Sequence, residues 1–259
     1  MGTKFLALLA LLHHTALSVQ HVRIPEPGSV VLDAALVRPA GTVRAPAVVA
    51  LHGCGGPVPS RDVQWAETLA GQGHIVLLPD SFGSRGLGSQ CRVQLRSVKP
   101  SGARRQDAIA AARWLAGQFG TPAGGIGLLG WSNGGGTVLF TAAEAPDLPP
   151  TLFSRFVAFY PGCKTELEDK SWKPAAPLMI LVGANDDWTP AAPCEALARK
   201  FPDEITLVVY PDAWHDFDRP VRVLHGLATP PSGTGAAHVG TNEAARMDAL
   251  RRVPAFMAR

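Results

Sequence analysis

Six short apolar runs constrain this chain more than any other feature: AVVAL (47–51), HIVLL (74–78), IGLLGW (126–131), RFVAFY (155–160), LMILV (178–182) and ITLVVY (205–210). They are continuous rather than alternating, as strands are when both faces of their sheet are covered. Helical patterns lie between most of them, at 65–72, 103–119, 135–144 and 191–200, and a last one at 242–257 closes the chain. The clearest, 103–119, puts Ile109, Ala112, Leu115 and Ala116 on one side. Strand and helix in alternation predict an α/β fold with a mostly parallel, doubly wound sheet flanked by helices. Residues 19–259 are expected to make one domain. The partly alternating stretch 29–37 predicts an antiparallel edge strand. Residues 220–240, rich in Pro, Gly, Thr and Ala, predict a surface loop.

Apolar residues make up 46% of the 259 positions and charged ones 17%, enough for a sizeable core and too little charge for disorder. The net charge of +3 comes from 24 basic and 21 acidic residues scattered along the chain. No basic block or aromatic–basic interleaving is present, which argues against nucleic acid as a partner. The N-terminus, MGTKFLALLALLHHTALSVQ, has the form of an export signal over residues 1–18. Lys4 supplies the positive start, 5–12 the apolar run and Ala16-Leu17-Ser18 the small-residue end. That run falls far short of the roughly 20 apolar residues a membrane anchor needs. A periplasmic or secreted protein is therefore expected.

The stretch GLLGWSNGGGTV (127–138) carries the chemistry. It reads as strand, then Gly-x-Ser-x-Gly (Gly130, Ser132, Gly134), then helix, which is the order of the nucleophile elbow of α/β-hydrolases. The overlapping pattern Gly125-x-Gly127-x-x-Gly130 resembles a dinucleotide fingerprint, but it lies on the strand instead of opening a helix. An acyl-transfer serine needs a base, an acid to orient the base, and donors for the oxyanion. After LMILV come Asp186 and Asp187 in GANDDWTP, and after ITLVVY comes His215 in PDAWH. Nucleophile, acid and base thus follow in the chain order of α/β-hydrolases. His52-Gly53-Cys54-Gly55-Gly56 directly follows AVVAL, where an oxyanion loop belongs, so the backbone N–H groups of Cys54 and Asn133 are the expected donors.

HGCGG, PDSFGSRG, GWSNGG, YPGC, GANDDWTP and YPDAWHDFD together resemble the dienelactone hydrolase family, and within it an exported, serine-containing branch. The resemblance runs from about Val31 to the C-terminal helix. It implies Ser132 as nucleophile, His215 as base and Asp186 as acid, because the family places the acid four residues before the proline, here Pro190; Asp187 is the alternative. The enzyme that names the family carries cysteine where this chain has Ser132, and the acidic residue that activates that cysteine has no match here. General carboxylic ester hydrolysis, with no metal or organic cofactor, is thus expected in place of dienelactone cleavage. An acyltransferase or peptidase on the same scaffold, or a non-catalytic binding protein, are the rival readings.

The four cysteines, Cys54, Cys91, Cys163 and Cys194, show neither Cys-x-x-Cys spacing nor a histidine cluster, so disulfides are expected and a zinc site is not. Cys163 and Cys194 follow the ends of two strands expected to be neighbours, which favours a bridge there and leaves Cys54–Cys91 by elimination. If that second bridge were absent, Cys54 would be a reactive thiol beside the oxyanion hole. Trp131, Trp188 and Trp214 each adjoin a catalytic candidate in sequence, and either line a substrate pocket or pack in the core. Arg85, in the loop after HIVLLPD, is a candidate for a substrate carboxylate, or else a solvated side chain.

Overall fold

The computed structural model describes residues 17–25, 30–119, 125–149, 151–228 and 236–259. The expected leader lies outside them as far as position 16. Strands β1 (Ser18–Pro25), β2 (Val31–Arg38), β3 (Val48–Leu51), β4 (Val76–Pro79), β5 (Ile126–Trp131), β6 (Phe153–Phe159), β7 (Leu178–Gly183) and β8 (Ile205–Tyr210) form one eight-stranded sheet. Their order is β1-β2-β4-β3-β5-β6-β7-β8. The pairs β1–β2 and β2–β4 are antiparallel, and every pair from β4 onward is parallel. Helices α1 (Pro59–Gly71), α2 (Ala103–Phe119), α3 (Asn133–Ala142), α4 (Lys164–Glu168), α5 (Ala191–Lys200) and α6 (Glu243–Met257) connect and cover the strands.

The unbroken apolar runs have a direct cause. Successive strand residues point to opposite faces, and here both faces carry a core. Val49 and Leu51 of β3, Leu128 of β5 and Ile180 and Val182 of β7 meet Ile109 and Leu115 of α2, Leu139 of α3 and Leu197 of α5. Val48, Ala50, Leu129, Trp131, Met179 and Leu181 turn the other way, onto Trp65 and Leu69 of α1 and Val253 and Phe256 of α6. Each such side chain contributes about 1.5–3 kcal/mol of burial, so a polar residue at either phase of the alternation would be costly.

Three expectations need correction. The sheet edge belongs to β1, with β2 inside it between β1 and β4. Along β1 only Ile24 is buried, and His21 and Arg23 stand beside Asp33 of β2, so no apolar period marks it. Such a charged edge resists pairing with another chain. The helix expected to begin at Trp65 begins at Pro59, where the fixed φ of proline suits the first helical position and Asp62 Oδ2 accepts the Val58 N–H at 2.7 Å. Its opening residues are mostly polar, so the apolar stripe appears only later. Finally, the stretch expected as a loop contains an antiparallel pair, β9 (His225–Ala228) with β10 (Ala236–Val239). Histidine, glycine and alanine there carry no strand signature; β10 is held through Val239, which bridges His215, and through His238.

No described helix is long and apolar enough to cross a membrane. Two disulfides are formed, Cys54–Cys91 and Cys163–Cys194, and no described cysteine is free.

Candidate active site

Strand β5 ends at Trp131 and α3 begins at Asn133, leaving Ser132 alone to reverse the chain. It does so at φ 53° and ψ −113°, a conformation costly for a residue with a side chain. The turn is compact enough that a Cβ on Gly130 would lie 2.4 Å from the Gly134 carbonyl oxygen, and one on Gly134 would lie 2.2 Å from that of Leu51. Glycine is therefore required on both sides of the serine.

The loop after β8 brings His215 to Ser132. Asp212 and Asp216 flank it in the left-handed region, at φ 56° and 63°, which aspartate tolerates better than most residues. The His215 carbonyl accepts the Gly240 N–H at 3.0 Å, which ties the loop to the end of β10. Ser132 Oγ lies 2.9 Å from His215 Nε2, and His215 Nδ1 lies 2.8 Å from Asp186 Oδ2. With Nδ1–H donating to the carboxylate, Nε2 is the acceptor for the serine proton. Burial works against the imidazolium, but the charge and hydrogen bond of Asp186 outweigh it and raise the His215 pKa above its ordinary 6.5.

Asp186 is itself held. Its Oδ1 accepts the N–H groups of Trp188 and Thr189 at 2.9 and 2.8 Å. Thr189 Oγ1 lies 3.0 Å from Asp186 Oδ2 and 2.9 Å from the Tyr160 carbonyl oxygen. Thr189 was not among the sequence candidates, because a threonine beside a proline has no signature apart from its neighbours in space. Asp187, the alternative acid, turns outward and accepts the backbone N–H and ring Nδ1–H of His238 at 2.8 and 2.7 Å. Partial burial opposes its charge, yet those bonds hold its pKa below the usual carboxylate range. It fastens β10 to the acid loop and does not face His215.

The loop after β3, residues 52–56, packs directly against the elbow, so that a Cβ on Gly53 would lie 3.6 Å from Ser132 Cβ. His52 Nδ1 donates to the Gly53 carbonyl at 2.8 Å and Nε2 accepts the Ser81 N–H at 3.0 Å. Burial holds this imidazole neutral, its pKa well below 6.5. The Asn133 N–H opens α3 and has no intrahelical acceptor. The Cys54 carbonyl accepts the Gln90 N–H at 2.7 Å, and the Cys54–Cys91 bridge ties the loop to the same segment.

The tentative pocket residues separate. Trp188 is half-buried with its ring 4.9 Å from that of His215, over the candidate base. The Trp214 ring lies 4.6 Å from that of His238 of β10, tilted against it. Trp131 is wholly buried, and its Nε1 donates to Asp218 at 2.9 Å. Asp218 also accepts from Trp65 Nε1 and Tyr160 OH, each at 2.7 Å, and the Tyr160 ring lies 4.5 Å from His215. Trp131 is thus scaffold beneath the histidine loop and does not line a pocket. Arg85 forms a paired contact with Asp107, at 2.7 and 2.9 Å, and donates to the Ser81 carbonyl, so its guanidinium braces the loop after β4. Among the described residues no cluster of three His, Cys, Asp or Glu side chains is placed to hold a metal ion.

A strand order of 1-2-4-3-5-6-7-8 with a serine elbow after β5 defines an α/β-hydrolase fold. The model of the dienelactone hydrolase family matches residues 32–259, and the chain belongs to that family. Similar solved structures include a Klebsiella pneumoniae protein assigned as a dienelactone hydrolase, at TM-score 0.71 and 21% identity, covering 94% of this chain and 99% of that one. A dienelactone hydrolase from Anabaena variabilis follows at TM-score 0.61 and 26% identity, covering 79% and 90%. An esterase from Pyrobaculum calidifontis aligns at TM-score 0.64 and 19% identity, covering 93% and 85%. No curated protein matches the sequence.

Proposed function

We propose that this hydrolase cleaves small carboxylic esters through Ser132, His215 and Asp186. The observation that carries the reading is the hydrogen-bonded line from Ser132 Oγ through His215 to Asp186, at 2.9 and 2.8 Å, on a serine held in an elbow conformation. His215 Nε2 takes the serine proton as Oγ attacks the ester carbonyl carbon. The electron pair of the C=O bond moves to oxygen, facing the N–H groups of Cys54 and Asn133. The tetrahedral intermediate collapses to an acyl-enzyme, and His215 returns the proton to the departing alcohol. Water, activated by the same imidazole, then releases the acid, while Asp186 keeps the tautomer and stabilises the imidazolium. Trp188, over His215, would meet the substrate's apolar part. No metal or organic cofactor enters the scheme. Residues 19–259 act as one exported domain after removal of residues 1–18, a reading that the two disulfides support.

The test is labelling of purified protein with a fluorophosphonate probe, run with hydrolysis of short and medium p-nitrophenyl esters. Wild type is expected to label and turn over, and Ser132→Ala and His215→Ala to do neither. A folded wild type that takes no label would overturn the assignment.

A further inference from the structure

Arg104, in the first turn of α2, is wholly buried, and the mechanism above does not use it. Its Nη1 donates to Asn133 Oδ1 at 2.6 Å and its Nη2 to the His52 carbonyl at 2.6 Å. Both acceptors are neutral oxygens. Asp107, one turn further along α2, gives both its carboxylate oxygens to Arg85. The guanidinium lies 5.0 Å from the centre of the Phe82 ring, and its buried Nε has no hydrogen-bond partner. Burial lowers the Arg104 pKa to about 9, against the opposing charges of Asp107 and Asp80, so the group is a cation at neutral pH.

A buried cation resting on neutral acceptors is costly for folding alone. What distinguishes Arg104 is where its two bonds go. One ends on Asn133, whose backbone N–H is a proposed oxyanion donor. The other ends on His52, two residues before Cys54, whose N–H is the other donor. We infer that Arg104 is a positioning residue of the oxyanion hole: its planar fork sets the spacing of the two donors and leaves a fixed positive charge behind them. This rests on the ester-hydrolase reading above. Donors of this kind accelerate reaction only if they are already aimed where charge develops. A low-dielectric surrounding lets the guanidinium charge reach the oxyanion with little screening. Lysine cannot take over both duties, because it offers a point charge without the fork.

The experiment compares wild type, Arg104→Lys, Asn133→Ala and Ser132→Ala. It uses p-nitrophenyl butyrate as substrate and trifluoromethyl propyl ketone as inhibitor. Ser132 Oγ adds to the ketone carbon, His215 takes the proton and the carbonyl oxygen becomes an oxyanion, so this inhibitor reads the hole directly. Arg104→Lys is expected to lose about tenfold to a hundredfold in kcat/KM and to raise the inhibition constant of the ketone in proportion. Asn133→Ala keeps the backbone donor but removes an Arg104 acceptor, and is expected to shift both quantities the same way. It also carries the test if Arg104→Lys does not fold. An unchanged ketone inhibition constant in the folded variants overturns the inference, even where turnover or thermal stability falls, because a merely structural residue would give that pattern. Turnover that survives in Ser132→Ala would sink the ester-hydrolase reading and this inference with it. Turnover lost there, with the ketone constant unchanged in Arg104→Lys, sinks this inference alone.

Discussion

Two adjacent carboxylates, Asp186 and Asp187, show how much one position matters at the end of β7. Asp186 is buried and meets His215, whereas Asp187 is exposed and meets His238. Asp186→Asn is expected to cut kcat by about two to four orders of magnitude, because the amide favours the wrong imidazole tautomer. Asp187→Asn should leave kcat nearly unchanged, and steady-state kinetics of the two variants checks both. The raised pKa of His215 has a second consequence. The proposed mechanism needs the neutral imidazole, so kcat/KM should fall as pH drops through a midpoint above 6.5, and Asp186→Asn should move that midpoint down. The stability effect runs the opposite way. The His215–Asp186 pair stabilises the fold fully below the unfolded value of 6.5 and loses that contribution as pH rises through the higher folded value.

At the scale of the element, the elbow tolerates little change. A methyl group at Gly134 would sit 2.2 Å from the Leu51 carbonyl oxygen, so Gly134→Ala should abolish labelling and lower the thermal midpoint together. Helix α4 makes a different prediction. Glu166 is buried with neither carboxylate oxygen hydrogen-bonded, and burial raises its pKa to about 7. The folded protein then holds a proton that the unfolded chain releases near 4.5, so stability should fall as pH rises from there to about 7. Glu166→Gln should flatten that slope, which thermal melts across the range would show. The parallel strands and the elbow were legible because burial on both faces writes continuous apolar runs, and a reversal at one serine demands glycine on either side. The edge strand β1, the β9–β10 pair and Thr189 were not. Their placement depends on partners on other elements, such as Asp33 of β2 for Arg23 and Asp187 for His238. Trp131 misled because adjacency to the site in sequence does not say which face of the sheet a side chain takes, and the Asp107 partner of Arg85 was hidden because it lies on α2.

Across the whole molecule, the two disulfides brace different parts of the machinery. Cys54–Cys91 ties down the loop after β3, which carries one proposed oxyanion donor, whereas Cys163–Cys194 joins the loop after β6 to α5. Replacing Cys163 and Cys194 by serine should cost about 2–5 kcal/mol of stability and leave kcat close to wild type at a temperature where the fold persists. Replacing Cys54 and Cys91 should lower kcat/KM as well as the melting temperature. Calorimetry and ester kinetics on the two double variants separate these outcomes.

The sheet order also spreads the proposed triad over the ends of three parallel strands. From β5 to β8 the strands are added outward one after another, and the histidine follows the last of them. Ser132 follows β5, Asp186 follows β7 and His215 follows β8, so the imidazole proposed to accept the serine's proton comes from the sheet edge. On that reading hydrolysis needs β5, β7 and β8 all in register, so turnover regained on refolding would report the assembled sheet and not the elbow alone.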